Sequence, residues 1–396
     1  MADIPTRVDV DAVIVGGGIA GMWTLARLRA EGYSAILLED EALGAGQTRY
    51  AQGIIHGGTK YALTGKLTAS SEAVSNMPSI WRACHAGNGE LDLSDAVMIS
   101  DAHYLWSTAN LASKITGFFA SQVMRARTTA LKPEQRPAIF QHENFRGSIY
   151  RLDEPVFDTI SVLRALAAPV MSSIVAISKG SIRLQSSKLT VEAVNGDGYE
   201  IGFSKLMLMA GPGNEALLRS AGLSKPSMQR RPLKMVMMRG GITEKVFAHC
   251  MGAGINPRVT ITSHTDNDNN IVWYMGGQLA EDGVGRSDEE QIARAKQELS
   301  TLIPWQNLDA AQWATLDIDR AEVRHADGHR PDTFYFDQQG DIITAWPTKL
   351  ALAPLLAQQI VDLAAAIDKT TAALPAWPPA PLAEFPWSED ARWGKA

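Results

Sequence analysis

Cysteine is nearly absent. Only Cys84 and Cys250 occur in 396 residues, far apart and without Cys-x-x-Cys spacing, which argues against a disulfide framework and a structural zinc site. No uninterrupted apolar run reaches the about 18 residues that a membrane span needs. A secretory leader is not expected either. Met1-Ala2-Asp3-Ile4-Pro5 is short and acidic where a secretory signal would be basic and then apolar, so a cytoplasmic protein is expected. Positive charge is not in excess: the formal net charge of −6 argues against a broad nucleic-acid-binding surface, yet leaves room for a local cationic pocket. The eight histidines include no His-Glu-x-x-His motif, and no metal site is expected.

What remains is an ordinary globular balance, 45% hydrophobic and 20% charged, in a chain long enough for two domains or one sizeable composite. Val10–Val15 reads as a buried parallel strand running straight into glycines. A helical pattern follows from about Ile19 to Glu31, stopped by Gly32, and Ser34–Glu39 supplies a second strand. Further strands are expected at 205–209, 233–238, 258–263, 271–275, 333–336 and 341–344. Ser287 with Glu290 makes a capping box ahead of the apolar stripe Ile292, Ala295 and Leu299. A last long helix is expected from about Lys349 to Ile367. Strands and helices mix without a clean boundary, which suits two interwoven domains. The tail carries Trp377, Trp387 and Trp393 among many prolines. It is read as packed on its own domain, with peripheral membrane contact as the alternative.

Gly16-Gly17-Gly18-Ile19-Ala20-Gly21 satisfies Gly-x-Gly-x-x-Gly. Gly16 permits the tight turn, Gly18 lets the backbone approach a pyrophosphate, and Gly21 allows close packing of helix on strand. The helix N-terminus offers N–H groups and partial positive charge to phosphates. Glu39, closing the next strand, is placed to accept from adenosine ribose hydroxyls and to repel a 2′-phosphate, which disfavours NADP. The motif alone does not choose between FAD and NAD.

A second glycine-rich stretch follows, Gly44-Ala45-Gly46-Gln47-Thr48-Arg49-Tyr50-Ala51-Gln52-Gly53-Ile54-Ile55-His56-Gly57-Gly58-Thr59-Lys60-Tyr61. It can wrap a pyrophosphate or ribityl chain with backbone donors and bring His56 near a ring. It resembles FAD-dependent glycerol-3-phosphate dehydrogenases and their relatives in the D-amino-acid-oxidase-like superfamily, with Gly46, Thr48, Ile55, His56, Gly57, Gly58 and Tyr61 in step. Asp153-Glu154-Pro155-Val156, Ala210-Gly211-Pro212-Gly213, Gly328-His329-Arg330-Pro331 and Thr348-Lys349-Leu350-Ala351 echo further family elements. The resemblance covers mainly the cofactor-binding half. It implies FAD as cofactor and an α/β fold in which a Rossmann-like FAD-binding domain is interwoven with a mixed-sheet substrate domain. The implied segments are 1–75, 149–225 and 326–372 for the FAD domain and 76–148 and 226–325 for the substrate domain, with 373–396 as the tail. No second Gly-x-Gly-x-x-Gly occurs, so substrate itself is expected to reduce the flavin.

The implied FAD contacts are Gly16, Gly18, Ile19, Ala20, Gly21, Glu39, Gly46, Thr48, Gly53, Ile54, Ile174, Ala210, Gly211, Thr348, Lys349 and Leu350. Ile174 or Val175 would touch the adenine, and Lys349 would serve the N1/C2=O edge together with the helix dipole. His56 is the favoured acid–base group, with His264 and Tyr274 as rivals. Arg330 would anchor an anionic group beside Lys60 and Tyr61, with Arg320 and Arg324 as rivals. The remaining histidines are read as structural. Two departures from the resemblance bear on substrate. Lys60 stands where the family has arginine, and Trp346-Pro347-Thr348 precedes Lys349 where glycines are usual. A lysine lacks the bidentate fork that grips phosphate, which opens the way to a carboxylate. A small anionic substrate oxidised at CH–OH is expected, with oxygen, a quinone or a carrier protein as electron acceptor. An amino-acid or amine oxidase and a non-enzymatic flavin-binding protein are the alternatives.

Overall fold

The computed structural model describes residues 5–58, 74–108, 128–185, 187–252, 256–324, 331 and 333–393. Thr6–Val15 is the strand on which the first half is built; from Val8 onward only Asp9 is not buried. Apolar residues pointing to both faces are what a parallel strand covered on both sides requires. It pairs in parallel with Ala35–Glu39 on one side and Gly198–Leu208 on the other, so that Val13 lies beside both Ile36 and Leu206. Ile174–Ala176 and Ile342–Trp346 extend this parallel sheet at either edge, and Tyr335–Gln339 adds an antiparallel strand beyond. Helix Ile19–Ala30 lies on one face against helix Ala353–Ala364, burying Trp23, Leu25, Leu28, Leu356 and Ile360 in one core. The opposite face buries Val13, Ile36, Leu206 and Trp377.

A second sheet runs in the order 312–323, 228–239, 271–276, 257–265, 248–251, 103–107, 149–152 and 128–130. Its neighbours are antiparallel except 248–251 beside 103–107. Helix Asp288–Leu302 covers it with Ala295, Leu299 and Leu302, which share a core with Trp273 and Trp313. The expected capping box is present: Glu290 N–H donates to Ser287 Oγ at 3.2 Å, and Ser287 N–H to Glu290 Oε2 at 2.9 Å.

Two local expectations need correction, and one strand is an addition. Ile149–Leu152 pairs in the second sheet, so the chain expected to return at 149 returns only after Leu152. The twelve-residue strand Gln312–Val323 was not expected. The last helix begins later than Lys349: a 3-10 turn spans Leu350–Leu352 and the α-helix runs Ala353–Ala364, with a proline in its first turn where a missing N–H costs nothing.

The tail is part of the fold. Leu43 N–H donates to Pro381 O at 2.7 Å, Ala383 N–H to Leu43 O at 3.0 Å, and Trp377 Nε1 to Ser172 O at 2.9 Å. Trp387 is fully buried against the second sheet, its ring 4.3 Å from that of His264 and 4.4 Å from that of Phe385. The Arg239 guanidinium lies 4.5 Å over the Trp393 ring and pairs with Asp266 at 3.0 Å. Trp377 and Trp387 therefore spend their apolar surface inside the chain. Among the described residues no helix is long and apolar enough to cross a membrane.

Truncating Trp387 to alanine removes a fully buried ring, and a loss of about 3–5 kcal/mol is expected, read as a lowered melting temperature. Burial, reinforced by Lys245, pushes the His264 imidazole from 6.5 down to about 3. The folded chain keeps it neutral while the unfolded chain protonates it, so stability falls as pH drops from 6.5 toward 3. His264→Gln removes this component. Chemical denaturation across that window should show an acid limb shallower by up to about 1.4 kcal/mol per pH unit.

Candidate active site

A cavity of about 950 Å³ runs from the carboxyl ends of the parallel strands to the face of the second sheet. Ligands of open α/β sheets bind at this strand end. Its outer end is made of backbone. Gly16 holds φ +111°, and a Cβ there would stand 2.6 Å from Ala210 Cα; a Cβ on Gly21 would stand 2.0 Å from Gly16 O. Only glycine fits either place. Gly18 has no side chain to cap the helix, and Thr48 supplies the acceptor instead: Ile19 N–H donates to Thr48 Oγ1 at 3.0 Å. Glu39 receives Gly17 N–H at 2.5 Å and Glu41 N–H at 2.9 Å. Burial raises its carboxyl above the usual range, partly offset by those two donors. A glycine cradle with no room for Cβ, a helix N-terminus and an acid at the next strand end fit the pyrophosphate and ribose of a dinucleotide.

The cavity wall includes Gly16, Gly18, Ile19, Ala20 and Glu39 from the first turn, and Gly46, Thr48, Gly53, Ile54 and His56 from the second loop. Ala210, Gly211, Thr348, Lys349 and Leu350 complete it from the last two parallel strands. Gly21 stands behind, against Gly16. Ile174 is placed otherwise. It is fully buried in the core beside Leu37, and the cavity is reached three residues later by Ile177, whose N–H donates to Glu39 O at 2.9 Å. A parallel strand meets its ligand beyond its carboxyl end, and Ile174 begins its strand.

The inner end is where the sheets meet. Gln52 Nε2 donates to Tyr274 O at 3.1 Å and Thr260 O at 3.2 Å, fastening the second loop to the second sheet. His56 Nδ1 lies 3.2 Å from Glu154 Oε2, and Gly57 N–H donates to Glu154 Oε1 at 2.9 Å. Glu154 is buried. Burial alone would raise its carboxyl, but the His56 hydrogen bond and charge and the Gly57 donor hold it below the usual range. His249 stacks 5.8 Å from His56, and its Nδ1 lies 2.8 Å from Thr260 Oγ1. Behind it His103, wholly buried, is held neutral with a pKa of about 3.

Thr348 takes φ +57°, the left-handed region that favours glycine, and its Oγ1 donates to Thr333 O at 2.8 Å. That turn presents Lys349 to the cavity. Arg320 also reaches it from the unexpected strand, while Arg324 does not. Of the rival bases, His264 is enclosed by Trp387 and Tyr274 donates its hydroxyl to Tyr50 O at 3.0 Å; neither lines the cavity. Lys60, Tyr61 and Arg330 lie outside the described residues. Sequence reasoning missed Glu154, Gln52 and His249, whose partners are remote in sequence.

The profile of a family described as FAD dependent oxidoreductase matches residues 11–362. The chain belongs to this family. Its cofactor is FAD. A probable FAD-dependent oxidoreductase of Pseudomonas aeruginosa is 46% identical over 388 residues, 97% of this chain and 99% of that one. The crystal structure of an FAD dependent oxidoreductase from the same organism matches with TM-score 0.85 at 42% identity, over 97% of this chain and 99% of that one. Glycine oxidase from Geobacillus kaustophilus shares the fold at TM-score 0.64 and 16% identity, over 92% and 96% of the two chains. So does the FAD-bound L-alpha-glycerophosphate oxidase of Mycoplasma pneumoniae, at 0.62 and 13%, over 95% and 100%.

Gly16→Ala should cost the protein its flavin. The added methyl meets Ala210 at a positive φ, so the turn must open, and the purified variant is expected to carry a several-fold lower ratio of flavin to protein absorbance. An unchanged ratio would mean that the turn does not hold the cofactor.

Proposed function

We propose that this oxidoreductase acts on the CH–OH carbon of a small anionic substrate, a 2-hydroxy acid or a glycerol-3-phosphate-like compound. The observation that carries the reading is the pairing of His56 with buried Glu154 in the cavity wall. An alcohol must lose its hydroxyl proton as the neighbouring C–H bond is broken, and an imidazole is suited to take it near neutral pH. Glu154 fixes which ring nitrogen faces it and stabilises the imidazolium that forms, the part a buried carboxylate plays beside a catalytic histidine. A neutral amine already has its lone pair and has no need of such a base during the C–H step.

Arg320 and Lys349 both line the cavity and are proposed to supply positive charge to it. The arginine fork matches a carboxylate or phosphate, and Lys349 suits the pyrimidine edge of the cofactor. Arg330, Lys60 and Tyr61 are proposed as further anion contacts. Bound FAD supplies the hydride acceptor and passes electrons on to oxygen, a quinone or a carrier protein.

The test is anaerobic bleaching of the flavin band by 2-hydroxy acids, glycerol-3-phosphate, amino acids and amines in turn. Bleaching by a hydroxy compound supports the reading, and bleaching by amines or amino acids alone overturns it. With the active substrate, His56→Asn should slow bleaching by about 10²–10⁴-fold at unchanged FAD content. Arg320→Ala should raise the substrate concentration for half-maximal rate, and an unchanged value removes it from the anion site.

A further inference from the structure

The inner wall of the cavity holds more nitrogen and oxygen donors than a base and its partner require. His56, Glu154 and His249 each offer one potential ligand atom, all within 4.8 Å of one another. Glu154 and His249 are buried, and the His56 side chain keeps 35% of its surface exposed to the cavity. Two imidazoles and one carboxylate, with one side open, are the donor set of open tetrahedral zinc sites. The 3.2 Å separation of His56 Nδ1 from Glu154 Oε2 is close to the roughly 3.3 Å edge of a tetrahedron with zinc-to-nitrogen bonds of about 2.0–2.1 Å.

The surroundings agree. His249 Nδ1 lies 2.8 Å from Thr260 Oγ1, which fixes the ring as second-layer hydrogen bonds fix metal-binding histidines. Behind it, neither ring nitrogen of His103 meets a hydrogen-bond partner of normal geometry among the described residues. Unpartnered buried imidazole nitrogens are uncommon in folded proteins.

We propose that His56, Glu154 and His249 form a binding site for a divalent cation of the zinc class, open to the substrate cavity. The ion takes the place of the hydrogen between His56 Nδ1 and Glu154, the neutral imidazole carries its N–H on Nε2 instead, and the open position is filled by water from the cavity. Metal and substrate then compete for His56, so a zinc-class ion acts as an inhibitor. The inference rests on the geometry of the wall and not on the identity of the substrate.

The experiment is equilibrium dialysis of chelator-washed, FAD-loaded, oxidised protein against zinc chloride without substrate, with metal and flavin measured together. About one zinc per chain is expected. His249→Ala and Thr260→Val should each weaken zinc binding by about 10-fold or more at unchanged flavin spectrum. The second variant keeps the test sound if the first does not fold. No zinc uptake by the wild type, or equal affinity in wild type and both variants, overturns the site. Because no substrate is present, either result leaves the reading of His56 as a base to be judged by its own bleaching test.

Discussion

Gly21 passes so close to Gly16 that a methyl group on it would lie 2.0 Å from the Gly16 carbonyl oxygen, and most of the first half is arranged around that approach. It seats the helix Ile19–Ala30 on the first strand with its N-terminus facing the strand end. Gly16, forced to φ +111° by the same turn, lies against Ala210 from the neighbouring parallel strand. Thr48 then caps the helix from the second loop, and Glu39 reaches back to Gly17. Each of these contacts depends on an absent side chain. Backbone donors and the helix dipole are left facing the cavity, where a pyrophosphate can use them.

The second constraint joins the halves. The loop 44–58 touches the cofactor turn at one end and the second sheet at the other, through Gln52 to Tyr274 and Thr260 and through Tyr274 to Tyr50. The tail repeats that connection outside, pairing with Leu43 and then burying Trp387 beside His264. The cavity between is bounded by elements tied on two sides. Catalytic groups held on such a frame keep the positions that proton and hydride transfer require.

The cofactor half was legible because its signals are local. Six residues carry the Gly-x-Gly-x-x-Gly turn, and the acid that answers it closes the next strand. His56 and Lys349 were found by the same short-range matching, and both line the cavity. Glu154 was read as part of a connecting segment because its partner lies 98 positions away, and no spacing rule spans that distance. The zinc-class donor set escaped for the same reason: metal motifs search one helix or hairpin, whereas these ligands come from three separate stretches of chain. Gln312–Val323 did carry a signal, the alternation Leu316-Asp317-Ile318-Asp319, and with it Arg320 could have been placed. Ile174 shows a different limit. An apolar residue in the right strand was identified, but whether it or Ile177 faces the ligand depends on where the strand stops.

On the proposed function, anionic recognition and proton removal would lie on opposite halves of the molecule. His56 belongs to the loop that wraps the cofactor, and Arg320 to a strand of the second sheet. The direct measurement is a crystal structure of the FAD-loaded, reduced protein with the bleaching substrate bound. The account predicts the anionic group beside Arg320 and the hydroxyl within hydrogen-bond reach of His56. A substrate bound with its hydroxyl turned away from His56, or its anionic group held elsewhere, would contradict it.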